Sequence, residues 1–174
     1  MAIKREKIQP KGIHVRMMAG QPAYTQVVTV SGTGRQIFVA GQVGWDAECK
    51  FVSTRLADQV RQALQNICTV LAEAQAGPEH VVRLTWFLTS RDEYLADLDN
   101  IGAAYRDVMG KNFPVRTVVQ VVALMEAQAK VEIEATAVVP ESSAASASAA
   151  AAEDTAEVEV FDIQLEDIAP PPGR

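Results

Sequence analysis

Two ionisable side chains sit where the surrounding residues make their charge expensive. Arg116 stands near the head of "NFPVRTVVQV", Asn112 to Val121, a valine-rich run of the kind that forms a buried strand. A guanidinium is costly to desolvate without a partner, so Arg116 calls for an anion. A carboxylate ligand is one answer, because the planar fork grips both oxygens through parallel charge-assisted hydrogen bonds. An inter-subunit salt bridge to Glu132 or Glu134 is the other. Glu132 lies in "KVEIEATAVV", sharing one strand face with Glu134 and Thr136, while Val131, Ile133, Ala135 and Ala137 share the opposite one. There it either positions or deprotonates a water molecule or is a solvated strand residue with no chemistry.

The body that must hold these residues reads as two strands, a helix, a strand, a helix and two strands. "YTQVVTV" (Tyr24–Val30) and "RQIFVAG" (Arg35–Gly41) are β-rich, with "SGTG" between them as a hairpin turn. In "STRLADQVRQALQNICTVLAEAQAG", Leu56, Val60, Leu64, Ile67, Val70, Leu71 and Ala74 recur at three- and four-residue steps. Ser53 or Thr54 can cap that helix and Gly77-Pro78 stops it. After a strand at Val81–Thr89, a second helix over "RDEYLADLDNIGAAYRDVMG" carries Asp92 and Glu93 at its positive end and Gly110 at its exit. In the strand of Arg116, Val118, Gln120 and Val122 share its face. Trp86 and Phe87 are neighbours on one strand, so one enters the core and the other an interface. Two helices cover roughly one face of such a sheet, and the other face is expected to meet a second subunit.

The 174 residues suit one domain with an appendage. Residues 1–140 hold 15 Lys+Arg against 14 Asp+Glu, and residues 141–174 hold one against eight; +1 and −7 sum to the net −6. A nearly neutral body and an acidic tail argue against a nucleic-acid surface. No apolar run approaches the ~20 residues of a spanning helix, so no membrane segment is expected. The N-terminal stretch lacks a secretory pattern, and the two cysteines, Cys49 and Cys68, suit a reducing cytoplasm. His14 and His80 are far apart, and no metal or cofactor is expected. From Pro140 the composition turns to serine and alanine, then to an acidic segment at 153–170 with Val158, Val160, Phe161, Ile163, Leu165 and Ile168. That segment is either a flap on its own domain or a tethered docking peptide for a protein scaffold or shell.

Taken in order, "FVAGQVG", "YRDVMG", "FPVRTVVQV" and "KVEIEATAVV" resemble the RidA/YjgF family of reactive-intermediate (enamine/imine) deaminases, from about Tyr24 to Val139. The resemblance implies an α+β, chorismate-mutase-like (bacillary type) sheet with two helices on one face, assembled as a homotrimer with clefts between subunits. It implies cofactor-free hydrolysis of 2-aminoacrylate-type enamines and imines, or of a larger enamine such as 2-aminomuconate, to 2-keto acids and ammonia. Carried over by position, Arg116 corresponds to the arginine that binds the substrate carboxylate and Glu132 to the glutamate associated with the attacking water. Tyr24 and Gly41 correspond to pocket contacts. Val118 stands where the best-studied branch has a cysteine, Gly102 where it has an asparagine, and Ala40 where a serine is common. The alternative from another class is a non-catalytic trimeric module that binds a carboxylate metabolite and is recruited through its tail.

Overall fold

The computed structural model describes residues 4–8, 17–18, 21–22 and 24–140. In chain order they form β1 (Lys4–Ile8), β2 (Met17–Met18), β3 (Gln21–Pro22), β4 (Val27–Ser31), β5 (Gly34–Val43), α1 (Leu56–Glu73), a 3-10 turn (Pro78–His80), β6 (Val81–Leu88), α2 (Arg91–Ala96), α3 (Leu98–Met109), β7 (Val115–Gln120) and β8 (Val131–Pro140). The fold is α+β. Its main sheet has the order β5-β8-β6-β7, with β8 antiparallel to both neighbours and β7 parallel to β6. The tail at 141–174 and His14 lie outside the described residues.

The core follows from the two periodicities in the sequence. Leu56, Val60, Leu64, Ile67 and Leu71 line the inner side of α1 and are at most 2% exposed. Each such aliphatic side chain contributes about 1.5–3 kcal/mol of burial. They pack on the alternate residues of β6 and β8 that share the helix-covered face, namely Leu84, Trp86, Leu88, Val131, Ile133 and Ala135. Val70, read with that stripe from the sequence, is 42% exposed because it falls a step off the inner face. Gly44 lets α1 come close: a Cβ there would lie 2.5 Å from Gln59 Cβ and 2.6 Å from its Cα. The buried Gln59 amide then stitches distant loops together. Its Nε2 donates to the Ser53 and Gln128 carbonyls at 2.9 and 3.0 Å, and its Oε1 accepts from the Lys130 N–H at 2.8 Å.

Four sequence expectations change. The second helix is two: α2 ends at Asp97, whose φ of −120° leaves the helical region, and α3 begins beyond it. Asp97 is a poor interior helix former, and its carboxylate accepts from Asn100 Nδ2 instead. Strand β4 takes its ladder from β1 rather than from β5, so the "SGTG" turn reverses the chain without a shared ladder. Strand β7 stops at Gln120, leaving Val122 fully exposed beyond it. Neither Ser53 nor Thr54 is the cap of α1; Arg55 occupies that position, and Ser53 Oγ accepts from Arg55 N–H and donates to Asp58.

Candidate functional site

Arg116 emerges from β7 onto the helix-covered face, in register with the buried Leu84. Its Cζ lies 4.8 Å from the Trp86 ring centroid, 5.6 Å from Tyr105 and 5.9 Å from Tyr24. Three aromatic rings at that range hold a guanidinium by cation–π attraction. This is how an arginine lives in a valine strand.

Residues 112–114, just before β7, build the cage. Asn112 Nδ2 donates to the Pro78 and Val81 carbonyls at 2.6 and 3.0 Å, fixing the end of α3 against the start of β6. The Asn112 carbonyl accepts from the Tyr105 hydroxyl at 2.7 Å, and the Phe113 ring stacks on Tyr105 at 5.7 Å. Thr25 is tied to the same turn, its hydroxyl donating to the Phe113 carbonyl at 2.6 Å and its N–H to the Pro114 carbonyl at 3.2 Å. That tether carries the adjacent Tyr24 to the guanidinium. Burial pushes the Tyr105 phenol well above its ordinary range, and the charge of Arg116 offsets only part of that shift. Tyr105 therefore stays protonated and acts as a wall and a hydrogen-bond donor, not as a base.

Tyr24, Arg116 and Val118 line one cleft of about 320 Å³, closed on its other side by Arg91, Tyr94 and Leu95 of α2. Gly41 and Glu132 are also brought together, but elsewhere. Glu132 registers with Phe87, which points to the pleat opposite Trp86, so its side chain rises from the uncovered face of the sheet. A bulge in β5 between Val39 and Gln42 sets Ala40 and Gly41 beside it. A Cβ at Gly41 would fall 1.9 Å from Glu132 Oε1, so any larger residue there would push the carboxylate aside. The five expected residues thus fall into two groups, Tyr24, Arg116 and Val118 at the cleft and Gly41 with Glu132 on the uncovered face of the sheet. Of the three departures from the resembled pattern, Val118 lines the cleft, Gly102 is buried within α3, and Ala40 lies exposed in the bulge. His80 is structural, its Nδ1 accepting from the Gly77 N–H at 2.9 Å.

The sequence reading gave Trp86 no part in the site, and passed over Tyr105 and Arg91. The parity of Trp86 with Leu84 and Leu88 was readable. Its closeness to Arg116 depends on the β6–β7 register, which no local pattern encodes.

Known proteins resemble this chain in sequence and fold. Residues 16–139 match the family model described as endoribonuclease L-PSP. The chain belongs to this family, which includes the RidA/YjgF proteins. It is 33% identical over 116 residues to the human protein named 2-iminobutanoate/2-iminopropanoate deaminase, covering 66% of this chain and 79% of that one. Over 120 residues it is 35% identical to the protein DfrA of Myxococcus xanthus, covering 66% and 84%. Among solved structures, the Rid-family protein YyfB of Yersinia pestis superposes with a TM-score of 0.64 at 29% identity, covering 78% of this chain and 98% of that one. The E. coli protein TdcF with bound serine gives 0.52 at 27% identity, covering 61% and 85%.

Proposed function

We propose that the protein is a hydrolytic deaminase of reactive enamine and imine intermediates with an α-carboxylate, needing no cofactor and yielding 2-keto acids and ammonia. The observation that carries this reading is the caged Arg116 at the base of a cleft, a pre-oriented carboxylate receptor. The names of the relatives support it.

The chemistry asks little of the protein. After an enamine tautomerises, the imine carbon is already electrophilic, so orientation and one proton transfer suffice. Arg116 holds the carboxylate in the cleft. A water attacks the C=N carbon while Glu132 takes its proton, the nitrogen is protonated, and the carbinolamine expels ammonia as the keto carbonyl forms. One water is consumed, ammonia leaves, and no oxidation state changes.

Glu132 cannot reach Arg116 through its own sheet. A second copy must therefore bring its Glu132–Gly41 face over the first copy's cleft. Phe38, 76% exposed, and Val119, 42% exposed, lie on the uncovered face and favour such an association. Three copies about a threefold axis would close three sites, which is the assembly proposed. The acidic segment at 153–170 would then present three linked docking peptides to a scaffold or shell.

The test is ammonia release from imines generated in situ by an amino-acid oxidase, with light scattering on the same sample. Accelerated release by a trimer is expected. A monomer at micromolar concentration would overturn the assembly, and no acceleration across a panel of imines would overturn the reaction.

A further inference from the structure

A single nitrogen in the turn between α1 and β6 faces two groups that it cannot serve at once. Nδ1 of His80 accepts from the Gly77 N–H at 2.9 Å and lies 3.3 Å from Glu79 Oε1. The first contact needs a lone pair on Nδ1, and the second needs a proton there. A neutral imidazole with its proton on Nε2 makes the first. An imidazolium makes the second and turns the Gly77 N–H away. Both partners are held close. Gly77 caps the 3-10 turn, and its carbonyl accepts from the His80 N–H at 2.9 Å. The Glu79 carboxylate folds back over Gly77, where a Cβ would lie 2.5 Å from Oε2 and 2.9 Å from Oε1.

The Arg116 cage is moored to this same turn. Asn112 Nδ2 donates to the Pro78 and Val81 carbonyls, one on each side of His80, and the Asn112 carbonyl accepts from the Tyr105 hydroxyl. A change in how residues 77–80 are bonded therefore acts on the Asn112 amide. Through it the change reaches the Tyr105 ring, 5.6 Å from the guanidinium carbon. The His80 side chain is 20% exposed, so a proton reaches it from solvent without unfolding.

The other charged groups around the turn do not compete for that role. Burial, and then the charge of Glu79, push the Cys68 thiol of α1 up, so it stays protonated. Asp107 and Lys111 at the end of α3 share one cavity with Glu79, and Lys7 of β1 shares another. Arg35 of β5 donates to the Ala74 carbonyl at the end of α1, at 2.6 Å. On β8, Ala137 is in register with Val81, and nothing from there to Pro140 titrates. Among these side-chain types only histidine ordinarily changes charge between about pH 5 and 8.

We propose that Gly77, Glu79 and His80 form a proton-operated latch on the mooring of the Arg116 cage. With His80 neutral, the turn is closed and Asn112 is held. Protonation directs Nδ1–H to Glu79, releases the Gly77 N–H and loosens the turn. None of this requires the deaminase reaction.

The experiment follows the full chain by NMR from about pH 5 to 8. At the upper end His80 is expected as the Nε2–H tautomer. Its ring, the Gly77 amide and the Asn112 side-chain amide should titrate with one midpoint. Glu79→Gln removes the charge that favours the protonated arrangement and should move that midpoint to lower pH. His80→Gln keeps an acceptor for the Gly77 N–H but cannot charge, so both amides should stop moving. In a Trp45→Phe background Trp86 is the sole tryptophan, its ring 4.8 Å from Arg116 Cζ. Its emission should follow the same midpoint and lose that dependence with His80→Gln. A neutral His80 with its proton on Nδ1, or a Gly77 amide indifferent to the titration of His80, would overturn the latch. Trp86 emission that ignores the midpoint would overturn its hold on the cage.

Discussion

The two faces of the sheet position an ionisable residue in opposite ways. On the covered face, Arg116 is held by three rings, and the turn that precedes it is tied down through Asn112, Phe113 and Thr25. Everything that orients it comes from within one chain. On the uncovered face, Glu132 is positioned by the absence of a side chain at Gly41 and by a bulge. The surroundings of Arg116 are packed aromatic rings, and those of Glu132 are a shaped surface. Packing alone can fix a cation in place, whereas a carboxylate on an open face is placed only by the room its neighbours leave.

The sharpest break in that contrast is Arg116→Ala. Deleting the carboxylate anchor should cost about 3 kcal/mol in kcat/KM, more than a hundredfold, measured as ammonia release. Mixed with Glu132→Gln, also expected to be nearly inactive, it tests whether the halves come from different copies. Co-refolded in equal amounts, the two variants should regain about a quarter of wild-type activity, since each shared site needs one intact half from each. No recovery would confine the site to one chain.

Gly41→Ala attacks the other face. The added methyl must displace the Glu132 carboxylate, the flexible end of a half-buried side chain, so kcat should fall while the melting temperature changes little. Affinity for a keto-acid product should change far less than kcat, because the Arg116 cleft is untouched.

Tyr105→Phe keeps the cage ring and removes its hydroxyl bond to Asn112, for about 1 kcal/mol. Because the folded-state phenol is raised by burial, its contribution is fully present below about pH 10 and is lost as pH rises beyond that. Melting temperatures from pH 8 to 11 should fall more steeply for the wild type than for Tyr105→Phe. The smallest effect is expected from deleting residues 141–174, with melting, assembly and hydrolysis all near wild type. A tail whose removal unfolds the body would be structural rather than a docking peptide.

Much of this was legible in the residues. The three- and four-step stripe of α1 and the alternation of β8 told which side chains face inward, and "NFPVR" placed Arg116 near the head of a strand. Which of its two faces a strand turns to the helices is a tertiary choice, so the sequence could pair Arg116 with Val118 and Gln120 but could not set them opposite Glu132. The break at Asp97 was hidden because the apolar stripe of Tyr94, Leu98 and Ile101 continues across it. β1 escaped notice because its five residues, "KREKI", alternate charge with little apolar signal.

The position of β8 has a consequence for how the chain is made. β5 and β6 are synthesised early but never touch as neighbours; the last described strand must slide between them. At ordinary rates of 5–20 residues per second, the 52 residues from Leu88 to Pro140 take about 3–10 s to appear. Throughout that interval both flanking strands carry open edges able to pair with another nascent chain. The sheet therefore cannot close piecemeal from its N-terminal side. Gln59 on α1 supplies the contacts to Gln128 and Lys130 that hold the start of β8 in place.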